Sequence, residues 1–334
     1  MSKQRKLSYL FSILWVAILF AAIMGAVATG VINSYYSGIL VLIGINIILA
    51  VSLNLVTGFL GQLVLGHAGF MSVGAYSAAL FTMHAGLPIS VAFPLGLIFG
   101  GLVAAIFGVI IGVPALRLRG DYLAIITLGF GEIIRVLVLA VDFTGGAAGL
   151  TGIPYIEGKY TLIIYTFFIA FLTVVAILAF IRSRHGRAVI AIREDEIAAE
   201  ASGINTTYYK LLAFVVAAFF AGVAGGIYAH YIGVLDPSKF DFNYSVEILI
   251  MVVLGGMGSI TGSVCSATVL TLLPEMLRSF ADKRMLIYSL VLIIVMLFKP
   301  TGLLGTREFS VRKIVGKLFK EKKKDTCLLY TSPS

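Results

Sequence analysis

The sequence predicts an all-α polytopic membrane protein of about ten transmembrane helices, or about eight on the alternative count of its C-terminal third. Three observations carry that expectation. Of 334 residues, 60% are hydrophobic and only 12% charged, with a mean hydropathy of +1.04, whereas soluble domains carry about a quarter charged residues. Several apolar runs approach or exceed the roughly 18 to 20 residues that cross a hydrocarbon core. The cations gather at the N-terminus, between 182 and 210, and after Lys299, as basic segments held on the cytoplasmic side do. That clustering explains the net charge of +9 without nucleic acid. One membrane domain is expected over 1–306, with a cytoplasmic loop at 182–210. A basic cytoplasmic tail follows at 307–324, placed against anionic lipid headgroups, and 325–334 changes composition abruptly and reads as a non-native tail.

Taken in order, Lys3, Arg5 and Lys6 precede an apolar run at 7–27. It is too long for a signal-peptide core of about 7 to 15 residues and reads as a first span with its N-terminus in the cytoplasm. A second span is expected at 36–55. Its amides, Asn46 and Asn54, are unfavourable against lipid and should face the bundle interior. The third, 58–80, is punctuated by Gly58, Gly61, Gly66, Gly69 and Gly74, which permit close packing or a break. Gln62 and His67 in it are either translocation-path residues or groups that cap a helix end. The fourth span, 91–113, is expected to end at Pro114, before a basic turn with Arg117 and Arg119. The fifth, 122–141, carries Glu132 and Arg135 one turn apart near its middle, where either charge alone costs several kcal/mol. They read as an ion pair or as a polar wall on a path.

The Gly-rich stretch 144–154 has no lysine in reach, and G-x-x-x-x-G-K-[ST] occurs nowhere. Any ATP hydrolysis is therefore assigned to a partner. Cys265 and Cys327 offer neither a disulfide framework nor a C-x-x-C site, and His67, His84, His185 and His230 have no H-E-x-x-H spacing. With no G-x-S-x-G elbow, an enzyme gains no support.

A sixth span is expected at 162–181 and a seventh at 211–232, capped by Asn205 or Thr206, with Ala- and Gly-rich 217–226 as a close-packing face. Asp236, Lys239 and Asp241 mark an external loop. The last third reads as 246–254, a flexible Gly-rich 255–263, 264–273, a break at Pro274, and 285–298. A cytoplasmic C-terminus needs an odd number of crossings there, and three give ten spans where one gives eight. Matching spacing at Gly58/Gly61 and Gly255/Gly258 hints at two related halves.

Between the sixth and seventh spans stand five cations, Arg182, Arg184, Arg187, Arg193 and Lys210, and four anions, Glu194, Asp195, Glu196 and Glu200. One short helix is expected over 194–202, ended by Gly203. Ile197, Ala198, Ala201 and Ile204 would form a small apolar face with Glu196 and Glu200 as an acidic flank. So short a helix is unstable alone. It needs membrane helices behind it and offers its face to a partner, unless the loop is an ordinary solvated one whose arginines only fix topology.

Three blocks together resemble the LivM-type permeases of branched-chain amino acid ABC importers: GQLVLGHAGFMSVGAY (61–76), LRLRGDYLAIITLGFGEIIRV (116–136) with TGGAAGLTGIP (144–154), and the 182–210 loop running into its Ala/Gly-rich helix. The resemblance covers roughly 35 to 305. It implies a permease subunit in the bacterial inner membrane, paired with a LivH-type permease subunit, two cytoplasmic ABC ATPases that use ATP and Mg, and an extracytoplasmic substrate-binding protein. No cofactor is implied for this chain. The loop helix is similar to the E-A-A-x-x-x-G coupling motif through Ala198, Ala199 and Gly203. Glu196 stands one place early because Ile197 intervenes, and Val64 stands where many relatives carry serine. The resemblance thus implies ATPase coupling through Arg193, Glu194, Glu196, Ile197, Ala198, Ala199, Glu200, Ala201 and Gly203. Path candidates are Asn46, Asn54, Gln62, His67, Glu132 and Arg135. The rival reading is an ion-coupled secondary transporter using Glu132.

Overall fold

The computed structural model describes residues 34–118, 120–156 and 161–277, with isolated positions between 289 and 305. The expected first span, the tail beyond 306, Arg119 and half of 285–298 lie outside the described residues. Within them the chain is helical: α1 Ser34–Asn54, continued by a π-turn Leu55–Phe59, α2 His67–His84, α3 Ile89–Ala115, α4 Asp121–Ala140, α5 Thr161–Arg182, α6 Arg184–Glu194, α7 Glu196–Ala201, α8 Thr206–Ile232, α9 Phe242–Gly255 and α10 Ile260–Met276. Helix is what such apolar sequence must form in lipid, because each backbone polar group then finds its partner within the segment. Five of the described helices are long and apolar enough to cross a membrane: α1 with its π-turn, α3, α4, α5 and α8.

The core is α2, α3 and α8, pressed together through glycine. A Cβ on Gly74 would collide with the backbone of Gly222, one on Gly225 with the Met71 carbonyl, and one on Gly100 with the Gly74 carbonyl. Backbones at that separation gain dispersion contacts that side chains would otherwise hold apart. The close-packing face expected at 217–226 is therefore present. Phe70 and Phe214 meet edge to face across it, ring centres 5.3 Å apart. Helix α1 is enclosed as well, whereas α4 and α5 are peripheral and expose apolar side chains such as Ile125, Ile133, Phe168 and Leu172.

One expectation changes and another is decided. Pro114 does not end the fourth span but lies inside the last turn of α3. Leu116 still bonds the Gly112 carbonyl at 2.9 Å, because a proline so near the C-terminus forfeits little beyond its own N–H. In the third span, 58–80, the glycines make a break. Gly61 takes φ +78°, the chain runs without helix to Gly66, and α2 starts at His67. A second break follows α9, where Gly256 and Gly258 have φ +108° and +84°. The flanking α9 and α10, of 14 and 17 residues, are only about 21 and 26 Å long.

At the other end of α8, Leu150 and Leu235 exchange backbone hydrogen bonds of 2.9 and 3.0 Å. This antiparallel bridge ties the Gly-rich 144–154 stretch to the loop at 233–241. Tyr76 Oη adds a hydrogen bond to the Leu235 carbonyl at 3.2 Å.

Candidate functional site

The polar segment between α5 and α8 folds as two helices where one was expected. Asp195 divides them. It is extended, φ −158°, and its Oδ1 accepts the N–H groups of Ile197 and Ala198 at 2.9 and 3.0 Å. A short carboxylate ahead of an Ala-rich run competes for backbone donors in this way and starts a new helix. An acidic residue just before E-I-A-A was the available signal. Ser183 caps α6 similarly, accepting from the Gly186 N–H at 3.2 Å. Gly203, at φ +81°, ends α7 as expected. Its N–H bonds the Glu200 carbonyl at 2.9 Å and that of Ile204 bonds the Ala199 carbonyl at 3.0 Å, a paired closure that uses up the last carbonyls.

α7 has two unlike sides. Ala199 is buried, while Ile197 is 72% exposed and Ala198 and Ala201 are exposed beside it. The acids of the expected flank, Glu196 half-buried and Glu200 exposed, are bound to α8. Glu196 pairs with Lys210 at 2.8 Å and Glu200 Oε1 accepts from the Thr206 hydroxyl at 2.6 Å. Both partners sit in the first turns of α8, which Asn205 caps by accepting the Tyr208 N–H at 3.0 Å. The Lys210 ammonium is nearly buried, its side chain 4% exposed, so Glu196 holds a charge that cannot be left alone there. Glu194 remains exposed at the end of α6.

Arg193 leaves this segment for the membrane bundle. Its Nη1 donates to the Gly58 carbonyl at 2.7 Å, in the π-turn that ends α1. A Cβ on Gly61 would lie 3.0 Å from Arg193 Cγ, and one on Gly258 3.0 Å from Nη1. Glycines from both chain breaks thus form the slot for one side chain. Asn54, fully buried, joins the same breaks from inside. Its Nδ2 donates to the Ser259 carbonyl at 3.0 Å and to Ser263 Oγ at 2.9 Å, and its Oδ1 accepts the Gly258 N–H at 2.9 Å. Gly258 stands out in the sequence only through its spacing from Gly255, and Ser259 and Ser263 only as part of a Gly-rich stretch.

The other path candidates do not converge on one place. Asn46 donates to Thr271 Oγ1 at 2.8 Å and links α1 to α10. His67 Nε2 lies 2.9 Å from Ser52 Oγ, whose own hydrogen goes to the Leu49 carbonyl at 3.0 Å. The imidazole therefore donates from Nε2 and joins α2 to α1. Gln62 bonds the Val56 carbonyl through its backbone N–H at 3.1 Å, and its buried Oε1 has no hydrogen-bond partner among the described residues. Glu132 and Arg135 form an ion pair on α4, Nε to Oε2 2.7 Å, with side chains 33% and 28% exposed. The expected pairing is present, on a peripheral helix.

The chain matches, over residues 35–299, the family described as branched-chain amino acid transport system / permease component. It is 39% identical over 291 residues to the high-affinity branched-chain amino acid transport system permease protein LivM of Salmonella typhimurium, covering 78% of this chain and 68% of that one. To LivM of Escherichia coli it is 38% identical with the same coverage. To the permease protein LivH of Escherichia coli it is 35% identical over 143 residues, 42% of this chain and 46% of that one.

Proposed function

The chain belongs to the permease-component family of branched-chain amino acid transport systems, and we propose that it works beside a LivH-type subunit, with α7 as the seat of a separate ABC ATPase. It is a multi-pass membrane permease of an ABC importer that carries hydrophobic amino acids inward. Two ATPases, supplied with ATP and Mg, drive the bundle from the cytoplasm, and an extracytoplasmic binding protein delivers substrate.

One observation carries the assignment of the ATPase seat. α7 turns Ile197, Ala198 and Ala201 outward while its acids are bound to α8. A small apolar face held rigidly against a long membrane helix suits a lever, because force applied to it passes into α8 rather than into loop bending. Orientation follows from charge. Arg117 lies just past α3, Arg182 ends α5, and Arg184, Arg187 and Arg193 lie on α6, so this end is read as cytoplasmic in the bacterial inner membrane. Both termini then lie in the cytoplasm, with ten spans in all. The Leu150–Leu235 bridge falls on the extracytoplasmic face. Ion coupling through Glu132 loses its motive, since Arg135 already neutralises that carboxylate.

The test is co-purification in detergent with candidate ATPase subunits, comparing the intact chain with an Ala198→Arg, Ala201→Arg double variant. The intact chain should retain an ATPase and the folded variant should lose it. Binding that ignores both substitutions would remove α7 from the role.

A further inference from the structure

We propose that Arg193 is a positioning residue that ties the ATPase-driven segment to the two helix breaks, rather than one that meets the ATPase; this rests on the α7 reading above. Its guanidinium leaves the last turn of α6 and reaches the Gly58 carbonyl, passing over Gly61 and against Gly258. The site lies where α1 and α9 both end. Helix C-termini gather partial negative charge on unpaired carbonyls, so a cation set between two of them is favoured by both.

Each glycine has a steric reason. A side chain at Gly58 would overlap Asn54 Oδ1 and the Gly258 nitrogen, and side chains at Gly61 or Gly258 would press on the arginine itself. Gly61 and Gly258 also hold positive φ, which other residues adopt at a cost. Asn54 completes the joint by making its three hydrogen bonds to the second break. The two breaks are therefore one mechanical unit, closed inside by Asn54 and gripped outside by Arg193.

The C-terminal end of the α6–α7 segment is thus held by two sets of polar contacts among the described residues. Glu196–Lys210 and Glu200–Thr206 fix α7 to α8, and Arg193, only four residues before Ile197, fixes the end of α6 to the joint. A displacement imposed on α7 is shared between α8 and the joint. Without Arg193 the polar link to the joint is lost and the larger share reaches α8.

The experiment uses the full permease–ATPase complex in vesicles with binding protein and leucine, reading ATPase retention, ATP hydrolysis and transport for the intact chain, Arg193→Ala and Arg193→Lys. Retention by the intact chain is the control on the ATPase reading; its absence would sink that reading on its own. Given retention, Arg193→Ala should keep the ATPase and lose transport about tenfold, with hydrolysis changed about twofold or less, and Arg193→Lys should fall between. Loss of the ATPase by Arg193→Ala would make Arg193 a docking contact, and unchanged transport would make it idle; either overturns the proposal. Should Arg193→Ala fail to fold, hydrogen exchange on the intact complex decides. Trapping the ATP-bound state should alter exchange at 55–62 and 255–260 together with 194–203. A change confined to 194–203 would overturn it.

Discussion

Glu196 and Lys210 meet at 2.8 Å across the gap between α7 and α8, the lysine nearly buried and the glutamate side chain a quarter exposed. The pair gives the displaced glutamate of this segment a physical place. One turn of α7 is locked to the start of a 27-residue helix.

That asymmetry of burial sets the order of two variants. Glu196→Ala leaves a buried ammonium uncompensated and should cost about 2 to 4 kcal/mol, whereas Lys210→Met leaves a partly hydrated carboxylate and should cost about half as much. Thermal unfolding in detergent orders the two; the reverse order would mean that the pair is not what keeps α7 seated.

Ile197 should be separable from stability. Being mostly exposed, it loses little on Ile197→Ser in the isolated subunit. Covering it in a complex is worth about 1 to 2 kcal/mol, so ATPase affinity should fall about tenfold. Titration of detergent-solubilised subunit with ATPase measures this, and equal affinity would remove the residue from the interface.

Asn54 is the strongest single point in the joint. Asn54→Leu keeps the volume but strands the buried Gly258 N–H and takes one donor each from the Ser259 carbonyl and the Ser263 hydroxyl, which still bond each other, for about 2 to 3 kcal/mol. Ser263→Ala removes one partner and should cost about 1 kcal/mol. Comparable losses from both would show that the Asn54 contacts to Gly258 and Ser259 contribute nothing.

Glycines divide by surroundings. Gly222→Val drives a side chain into Ala104 and the Gly100 carbonyl, and should abolish a folded subunit or cost about 3 kcal/mol or more. Gly129, in α4, has nothing within 4 Å of a Cβ, so Gly129→Ala should be neutral or gain up to about 1 kcal/mol. Fluorescence-detected size exclusion of the two variants distinguishes them.

For Glu132 and Arg135 the ion pair predicts compensation. Neutralising either alone strands the other charge on a membrane helix and should lower folded yield several-fold, while Glu132→Gln with Arg135→Gln should recover most of it. Leucine uptake by the double variant then decides whether the pair also serves the path. Retained uptake is expected, and its loss in a folded double variant would put these side chains on the route.

Much was legible without coordinates where a residue acts through its neighbours in the chain. The spans near 36–55, 122–141 and 162–181 match α1, α4 and α5 to within a few residues, because apolar runs of that length have no other way to satisfy their backbone in lipid. Gly203 as a helix end and Asn205 as a cap follow from local dihedral and hydrogen-bond preferences. The failures were of the other kind. Glu196 and Glu200 read only as an acidic flank because nothing local shows that Lys210 and Thr206 stand opposite them. Asn54 looked like a path residue because a buried amide reads the same whether it faces a channel or another turn of chain.

The sequence by itself determined the membrane class, the long apolar helices near 36–55, 122–141 and 162–181, the Ala/Gly packing face and the apolar edge of α7, since each rests on composition or on spacing of a few residues. Only the tertiary structure decided that Gly58 and Gly258, two hundred positions apart, share one joint, and that Arg193 belongs to it. A hydrogen bond acts over about 3 Å whatever the separation along the chain, so its partner is fixed by where helices pack and leaves no periodic trace in the residues between.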